Sequence, residues 1–479
     1  MAITSASGID AAPRKQTLAS NYVDFTSQDT EGWAQQYLPD LMEKEAEVYG
    51  KRTIAGFLAQ VGAEEPSAAD RVIWSEQGRL HLAYTAKYVS GNNKYEIEND
   101  IDGNDVGTTP GLRVGDMVIM SLANATAKGY VSAVDPDGDN GAEFTVLAYG
   151  AANMATALNS TATTSELIRV LVIGSEFEKG SGARTAANAP KFKSHSNKHI
   201  ILRDYYEVSG SDASAIGWVE ISGEEGQNGY LWYLKAEGDT RARFADYLEM
   251  TMLEAETAVD GAGAIGGTDQ STSDGTQGLF QAITTRGHQT TGITGVNAAT
   301  DLAEFDAILA VFDANGAIEE NMMFVDRTTS LAIDDMLASM NSYGAGGTSY
   351  GVFENDEDMA LNLGFSGFRR GSYDFYKSDF KYLNDKGTRG GLNDTVNNIR
   401  GVVIPAGVSS VYDEQLGRNM KRPFLHVRFR ASETESRKMK TWVTGSVGAA
   451  TSGIDSMQVH YLSERCLITQ GANNFMLMN

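Results

Sequence analysis

The longest helical pattern in the chain, from Tyr230 to about Ala258, constrains the fold more than any other feature. It contains no proline, and its apolar residues recur at the spacing that places them on one face of a helix. At ~1.5 Å per residue the helix would extend roughly 40 Å, a length typical of a structural beam. The predicted buried stripe comprises Phe244, Tyr247, Leu248 and Met252.

Length and charge narrow the class of protein. The 479 residues suffice for about two to four domains, and 42% apolar with 21% charged residues is a globular balance. The chain has 39 Lys and Arg against 63 Asp and Glu, a net charge of −24. Such an acidic excess repels phosphate backbones and anionic membranes, so it disfavours nucleic-acid wrapping by the whole surface.

Cysteine content and apolar runs indicate the compartment. The single cysteine, Cys466, excludes an intramolecular disulfide framework and a metal cluster made of cysteine alone. The N-terminus lacks the basic and apolar regions of a signal peptide, and no apolar stretch reaches the ~18 residues needed to span a bilayer. We therefore expect a protein that is soluble and intracellular when it is made.

The regions flanking the long helix differ in pattern. Residues 1–40 are polar and typical of an extended arm. Between Val72 and Val208 the pattern is β, and four strand-like runs separated by turns predict a small inserted barrel or sandwich at about 87–175. After the helix the chain alternates helix stripes with a short strand, and its terminal third returns to strands. The predicted fold class is α+β.

One motif suggests nucleophilic catalysis. Residues 347–351 (GTSYG) match the G-x-S-x-G pattern of a hydrolase, in which Ser349 would be the nucleophile. That chemistry needs a strand directly before the turn and a helix after it. Because residues 342–346 (SYGAG) read as a loop, a glycine-rich loop explains the match better than an active site.

An acidic turn suggests a weak cation site. Asp135, Asp137 and Asp139 alternate as in a calcium-binding loop, but Asn140 and Val146 stand where that loop needs glycine and glutamate. A polar hairpin turn between two strands is the favoured interpretation, with a weak Ca²⁺ or Mg²⁺ site as the alternative. The same holds for the acidic residues between Asp100 and Asp105. No other pattern predicts a metal, a cofactor or a catalytic residue.

The most basic stretch lies near the C-terminus. Arg428 and Arg430 alternate with apolar residues, so they share one face of a strand. With Arg437 and Lys438 they would form a solvated face or an intersubunit salt-bridge strip. Nucleic-acid contact is the alternative, which the acidic remainder of the chain disfavours. A large chain without a catalytic constellation is more typical of an assembly subunit than of an enzyme.

The order of these elements and several local segments carry a resemblance. Segments 41–57 (LMEKEAEVYGKRTIAGF) and 73–81 (IWSEQGRLH) are similar to N-terminal segments of marine and cyanobacterial phage capsid proteins. Further similar segments are 197–211 (NKHIILRDYYEVSGS), 279–286 (LFQAITTR) and 472–475 (ANNF). The chain thus resembles the major capsid proteins of tailed bacteriophages (Caudoviricetes), including cyanophages, which share the Hong Kong 97 fold.

The resemblance implies a layout for the whole chain. Its parts are an arm with a first helix (1–71), a leading strand (72–86), the inserted β domain (87–175), an extended loop and strand (176–229), a peripheral domain with the spine helix (230–300), an axial domain (301–413) and returning strands of both domains (414–479). The inserted domain departs from the minimal fold. No residue pair matches the covalent crosslink of the founding member.

The resemblance also implies a function. Copies would form hexamers and pentamers, assemble in the host cytoplasm into an icosahedral shell of the virion, and enclose double-stranded DNA without sequence-specific binding. Scaffolding, portal and decoration proteins are the expected partners, with no membrane, no cofactor and no enzymatic activity. The alternatives are another virion part, such as a tail tube or decoration protein, a cellular compartment shell of the same fold, or a serine hydrolase built on Ser349.

Overall fold

The computed structural model describes residues 56–58, 63–78, 81–91, 93–106, 110–123, 125–138, 141–158, 167–182, 192–211, 231–258, 275–341, 367–392, 398–406, 408–413, 418–445 and 452–479. The predicted arm with its first helix at residues 41–49, Ser349 and Asp139 lie outside these residues. The chain forms two compact units. One comprises Ser75–His195, and the other comprises the described residues before and after that range.

The strands in chain order are β1 (Ala63–Ser67), β2 (Arg71–Gln77), β3 (Ala83–Ser90), β4 (Lys94–Asp100), β5 (Asp116–Leu122), β6 (Ala125–Gly138), β7 (Gly141–Ala148), β8 (Leu167–Ser175), β9 (Phe192–Lys198), β10 (Ile200–Ser209), β11 (His288–Thr290), β12 (Glu320–Val325), β13 (Gly367–Arg370), β14 (Tyr373–Asp379), β15 (Gly401–Pro405), β16 (Val408–Asp413), β17 (Arg418–Pro423), β18 (Leu425–Arg430), β19 (Lys440–Gly445), β20 (Ser456–Thr469) and β21 (Met476–Met478). The helices are α1 (Met154–Ala157), α2 (Leu231–Glu254), α3 (Leu279–Arg286), α4 (Ala298–Asn315), α5 (Arg327–Asn341) and α6 (Lys381–Asn384).

The long helix α2 lies against a five-stranded sheet. The strand order is β1-β18-β20-β10, and β19 also pairs with β20. Phe244 and Leu248 of α2 pack on Val459 and Tyr461, which alternate along β20 and point to the same face. Further along α2, Met252 enters a second and larger core. The helix and the sheet therefore bury each other's apolar faces.

The predicted buried stripe of the helix is wrong at one residue. Phe244, Leu248 and Met252 are buried, whereas Tyr247 is 44% exposed. Each step of four residues advances the stripe by about 40° around the helix axis. The stripe that runs from Phe244 through Leu248 to Met252 therefore moves away from Tyr247, which lies on its other side.

A second sheet holds the α/β part of the same unit. Its six strands have the order β11-β21-β15-β12-β14-β13. Helices α4 and α5 contribute Phe305, Ile308 and Ile333 to the core beside it, where they meet Met323 and Phe375. The predicted range 301–413 supplies its four strands β12 to β15, and the other two come from segments on either side of that range.

The ends of α4 follow from its sequence. The Asn297 side chain accepts a hydrogen bond from the Thr300 amide at 3.0 Å, which satisfies a free donor at the helix start. Gly316 ends the helix with φ at 62°, a left-handed conformation that glycine adopts at little cost. Within the described residues, no helix is both long and apolar enough to span a membrane.

The Ser75–His195 unit is a closed antiparallel barrel with the strand order β3-β4-β7-β6-β5-β8. Inward side chains alternate with outward ones, and the inward set forms a core of its own around Tyr95 and Phe144, whose ring centroids are 5.8 Å apart. The predicted start of the inserted domain at Lys87 is too late, because Tyr84 and Ala86 of β3 are already buried in this core.

The packing of α2 predicts a contrast between two aromatic residues. Phe244→Ala should lower the free energy of unfolding by about 3–5 kcal/mol, because it removes a fully buried ring. Tyr247→Ala is the matched control and should change it by less than about 1 kcal/mol. Urea unfolding followed by tryptophan fluorescence measures both, because all five tryptophans lie outside residues 75–195. Equal losses would contradict the packing.

Candidate functional site: the N-terminal clasp

An N-terminal strand completes the sheet beneath α2. β1 pairs in parallel with β18, with Glu65 opposite Arg428 and Ser67 opposite Arg430. It lies at the edge of the sheet, where Pro66 is tolerated because an edge strand can spare a backbone N–H group. More than 350 residues separate the two strands in sequence, so the pairing is a long-range attachment of the N-terminal segment.

Ion pairs link the predicted basic strip to carboxylates of its own chain. Arg428 meets Glu65 at 2.7 Å, and Arg437 meets Glu464 at 2.5 Å. The remaining pairs are Arg430 with Asp70 at 2.5 Å and Lys438 with Glu64. The intersubunit role of this strip stays a prediction. All four cations are neutralised within the chain, by acids that are distant in sequence.

A carboxylate on α2 holds the beginning of the described chain. Glu249 accepts hydrogen bonds from the Gly56 amide at 3.2 Å and from the Leu58 amide at 3.1 Å. Burial and the Glu64 charge raise the pKa of Glu249. The hydrogen bonds from the two backbone amides and the charge of Arg465 lower it. The net direction is upward, so the clasp contains a carboxylate that keeps its proton more readily than an exposed glutamate.

Arg465 is a buried cation whose charge acts on this carboxylate. It is 7% exposed, and burial lowers the pKa of its guanidinium despite the charges of Glu64 and Glu249. It donates to the Ser463 hydroxyl at 2.9 Å and to the Lys438 carbonyl at 3.0 Å, and it lies 3.8 Å from Glu64. These partners lower the cost of burying its charge.

Apolar packing completes the attachment. Phe57 is 5% exposed, and its ring centroid lies 4.7 Å from those of Phe324 and Phe380. Leu58 is buried in the same core. We call Gly56, Phe57, Leu58, Glu64, Glu249 and Arg465 the N-terminal clasp. It joins the N-terminal segment to α2, to the first sheet and to the core of the second.

The sequence patterns missed Glu249 as a functional residue. The one indication in the sequence is its position around the helix axis. At ~100° per residue, Glu249 lies about 140° from Phe244, at an angle between those of Met252 and Leu253. Both of those neighbours are fully buried. A glutamate between two buried positions would have indicated a carboxylate with a specific partner. That partner lies about 190 residues away in sequence, and no local pattern identifies it.

The carboxylates of the acidic turns lie close to backbone amides of their own turns. Asp135 and Asp137 belong to β6, and the Asp137 amide lies 3.4 Å from the Asp135 carboxylate. The Asp100 carboxylate accepts the amides of Asp102 and Asn104 at 2.9 and 2.8 Å. Across the described ranges, no three metal-binding side chains cluster. For the described residues, the hairpin interpretation accounts for both turns.

Several solved phage structures are similar to this chain. The capsid structure of cyanophage P-SCSP1u has 9% identity over 64% of this chain and 80% of that chain, with a TM-score of 0.34. Gordonia phage Cozz has 9% identity over 96% and 97%, with a TM-score of 0.39. The capsid of Myoviridae phage XM1 has 10% identity over 93% and 97%, with a TM-score of 0.39.

These structures include phage capsids, the class of protein that the sequence resemblance named. No family model and no curated protein matches the chain.

The clasp predicts how the first described residues exchange their amide hydrogens. Glu249→Gln removes the charge and one of the two acceptor oxygens, so the amides of Gly56 and Leu58 should exchange about 10–100-fold faster. Glu256→Gln, at an exposed position just beyond the helix, is the control and should leave them unchanged. Hydrogen–deuterium exchange with mass spectrometry measures this. Unchanged exchange in the Glu249 variant would contradict the clasp.

The raised pKa of Glu249 also predicts a pH dependence. The folded chain holds this proton more tightly than the unfolded chain, so through Glu249 stability falls as pH rises from the ordinary value of 4.5 through the raised one. The unfolding free energy of the wild type minus that of Glu249→Gln should therefore decrease with pH across this window. Urea unfolding at several pH values tests it, and a difference that rises with pH would contradict the assignment.

Proposed function

We propose that the chain is the major capsid protein of a tailed phage. Its copies assemble into the icosahedral shell that holds the phage DNA, and the protein is a structural component of the virion rather than an enzyme. The observation that carries the proposal is the order of elements along one chain. An N-terminal segment, a strand pair with a barrel between its strands, a long helix and a separate α/β sheet follow each other as the resemblance implies.

Each element has a role in this proposal. Helix α2 is the spine helix of the peripheral domain, and the five-stranded sheet beneath it belongs to the same domain. The six-stranded sheet with α4 and α5 is the axial domain, whose copies meet around the symmetry axes as hexamers and pentamers. Strands β2 and β9, which pair with each other, form the base of the extended loop, and the barrel is inserted between them.

The N-terminal clasp has a mechanical role in the proposed shell. A segment that reaches a neighbouring subunit transmits force only if its base is fixed in its own subunit. The clasp supplies such a base, because it combines two backbone hydrogen bonds to the Glu249 carboxylate, a buried phenylalanine and a paired strand. The arm before Gly56 would then extend to neighbours. Scaffolding, portal and decoration proteins are the further proposed partners.

No observation on the described residues favours the other candidate functions. A tail tube, a decoration protein, a cellular compartment shell and a hydrolase built on Ser349 each lack a feature of the described residues that favours them over a capsid subunit. We therefore retain a single proposed function.

Assembly should depend on the buried face of α2. Leu248→Asp places an unpaired carboxylate at a position that is 4% exposed, which costs several kcal/mol, and should abolish large particles. Tyr247→Asp is the control, because that side chain is already half-exposed, and it should still assemble. Sedimentation velocity of each variant, coexpressed with its native neighbours, measures the result. Particles formed by Leu248→Asp as readily as by the wild type would overturn the placement of this helix.

A further inference from the structure

The last strand of the first sheet, β10, presents a long edge. Among the described residues it pairs with β20 alone, along its full length of ten residues. The other edge strands of this sheet are shorter, since β1 has five residues that include Pro66 and β19 has six. Short strands and proline protect a sheet edge from pairing with another chain, and β10 has neither protection.

The hydrogen bonds of β10 show which of its backbone groups point away from β20. Just beyond the strand, the Gly210 amide donates to the Asp455 carbonyl at 3.0 Å, so the even-numbered residues face the β20 segment. Successive residues alternate in an antiparallel pair, so the odd-numbered ones face outward. Tyr205 agrees, because its amide donates to the Asp204 carboxylate at 2.9 Å. The central outward residues are Arg203, Tyr205 and Glu207.

The side chains of these three residues are complementary to a second copy of themselves. Arg203 and Glu207 are exposed, and among the described residues neither forms an ion pair within the chain. Tyr205 lies midway between them and is 51% exposed. If two β10 strands pair antiparallel about Tyr205, Arg203 of each copy lies opposite Glu207 of the other. Charges that protect an edge from other strands are thereby matched.

The alternation of the backbone groups restricts the other registers. A shift by one residue would bring outward groups opposite inward ones, so the nearest alternatives are centred on Asp204 or Tyr206. In both of these registers, each of the two charges lies opposite an uncharged residue. The register centred on Tyr205 also places Leu202 opposite Val208 of the second copy, on the face that carries α2. Both faces of the sheet therefore favour the same register.

We infer that β10 of one copy pairs with β10 of a second copy about a twofold axis at Tyr205. The three central residue pairs exchange about six backbone hydrogen bonds, because each outward pair exchanges two. The Tyr205 amide gives up its bond to Asp204, which keeps Arg243 at 3.7 Å. The sheets of the two copies then form one continuous sheet. The inference goes beyond the proposed function, because this strand pairing does not require a shell.

The register predicts a disulfide at one position of the strand. Opposite residues in such a pair have Cα atoms ~5.5 Å apart, a distance that a disulfide spans. Cys466 is fully buried, and burial raises the pKa of its thiol to about 12, so it does not compete. Mild oxidation with copper phenanthroline should link Tyr205→Cys into dimers with a yield at least ~10-fold above that of Ile201→Cys.

The Ile201 control is matched in exposure and in strand face. Ile201 is 51% exposed, as Tyr205 is, and it lies on the same face of β10. In the proposed register the two copies of position 201 are about 27 Å apart, because eight residues separate position 201 from the residue opposite its copy. Equal dimer yields for the two cysteine variants overturn the inference.

A charge swap tests whether the partner is the same strand of a second copy. Arg203→Glu, added to Tyr205→Cys, places like charges opposite each other twice and should lower the dimer yield about 3–10-fold. Adding Glu207→Arg to the same chain reverses both members of each pair and should restore the yield. Both side chains are exposed, so the fold tolerates the changes. A different partner protein or another register predicts no restoration, and that result overturns the inference.

Electron microscopy of the same samples, with the full chain coexpressed with its native neighbours, separates this inference from the proposed function. Closed shells in which Tyr205→Cys forms no more dimer than Ile201→Cys would overturn the strand pairing and leave the capsid proposal standing. Dimers linked through position 205 without shells would support the strand pairing and contradict the capsid proposal.

Discussion

The mutual burial of α2 and the sheet beneath it is the interaction on which the rest of the larger unit depends. Exposing the apolar stripe of this 24-residue helix to water would be unfavourable, and so would exposing Val459 and Tyr461 of β20. The contact removes both surfaces from solvent. Since β20 also pairs with β18 and β19, the helix indirectly fixes the C-terminal strands, and β1 can then add to the edge of β18.

Charge burial is the cost that accompanies this arrangement. Arg465 and Glu249 lie where the helix, the sheet and the N-terminal segment meet, and burial shifts both pKa values toward the neutral forms. Removing either residue would leave the other as an uncompensated buried charge. The resulting loss of stability would exceed the net stabilisation that the pair contributes. The N-terminal segment is therefore attached by contacts that require all three elements.

Local patterns predicted those features whose causes are local. The β-rich runs at residues 112–120 and 166–173 predicted two of the barrel strands, β5 and β8, each of which buries one face in the same core. The proline-free run with its apolar stripe indicated α2, because this helix also buries one face. The predicted start of the inserted domain at Lys87 was too late, since Tyr84 and Ala86 of β3 already pack in the barrel core.

Features that depend on distant partners were not predictable in this way. The exposure of Tyr247 depends on which side of the helix the sheet covers. The ion pairs of the basic strip within its own chain were not predicted, because Glu64 and Glu65 lie on a short strand far away in sequence. Glu249 looked like a solvated helix residue until Gly56 and Leu58 were placed beside it. In each case a tertiary contact outweighed the local pattern.

The central claim is that this chain assembles with copies of itself into a shell. Negative-stain electron microscopy of the purified protein, alone and coexpressed with its native neighbours, tests it most directly. The account predicts closed icosahedral shells, or rings of five or six subunits. A uniform monomer under every condition would contradict it.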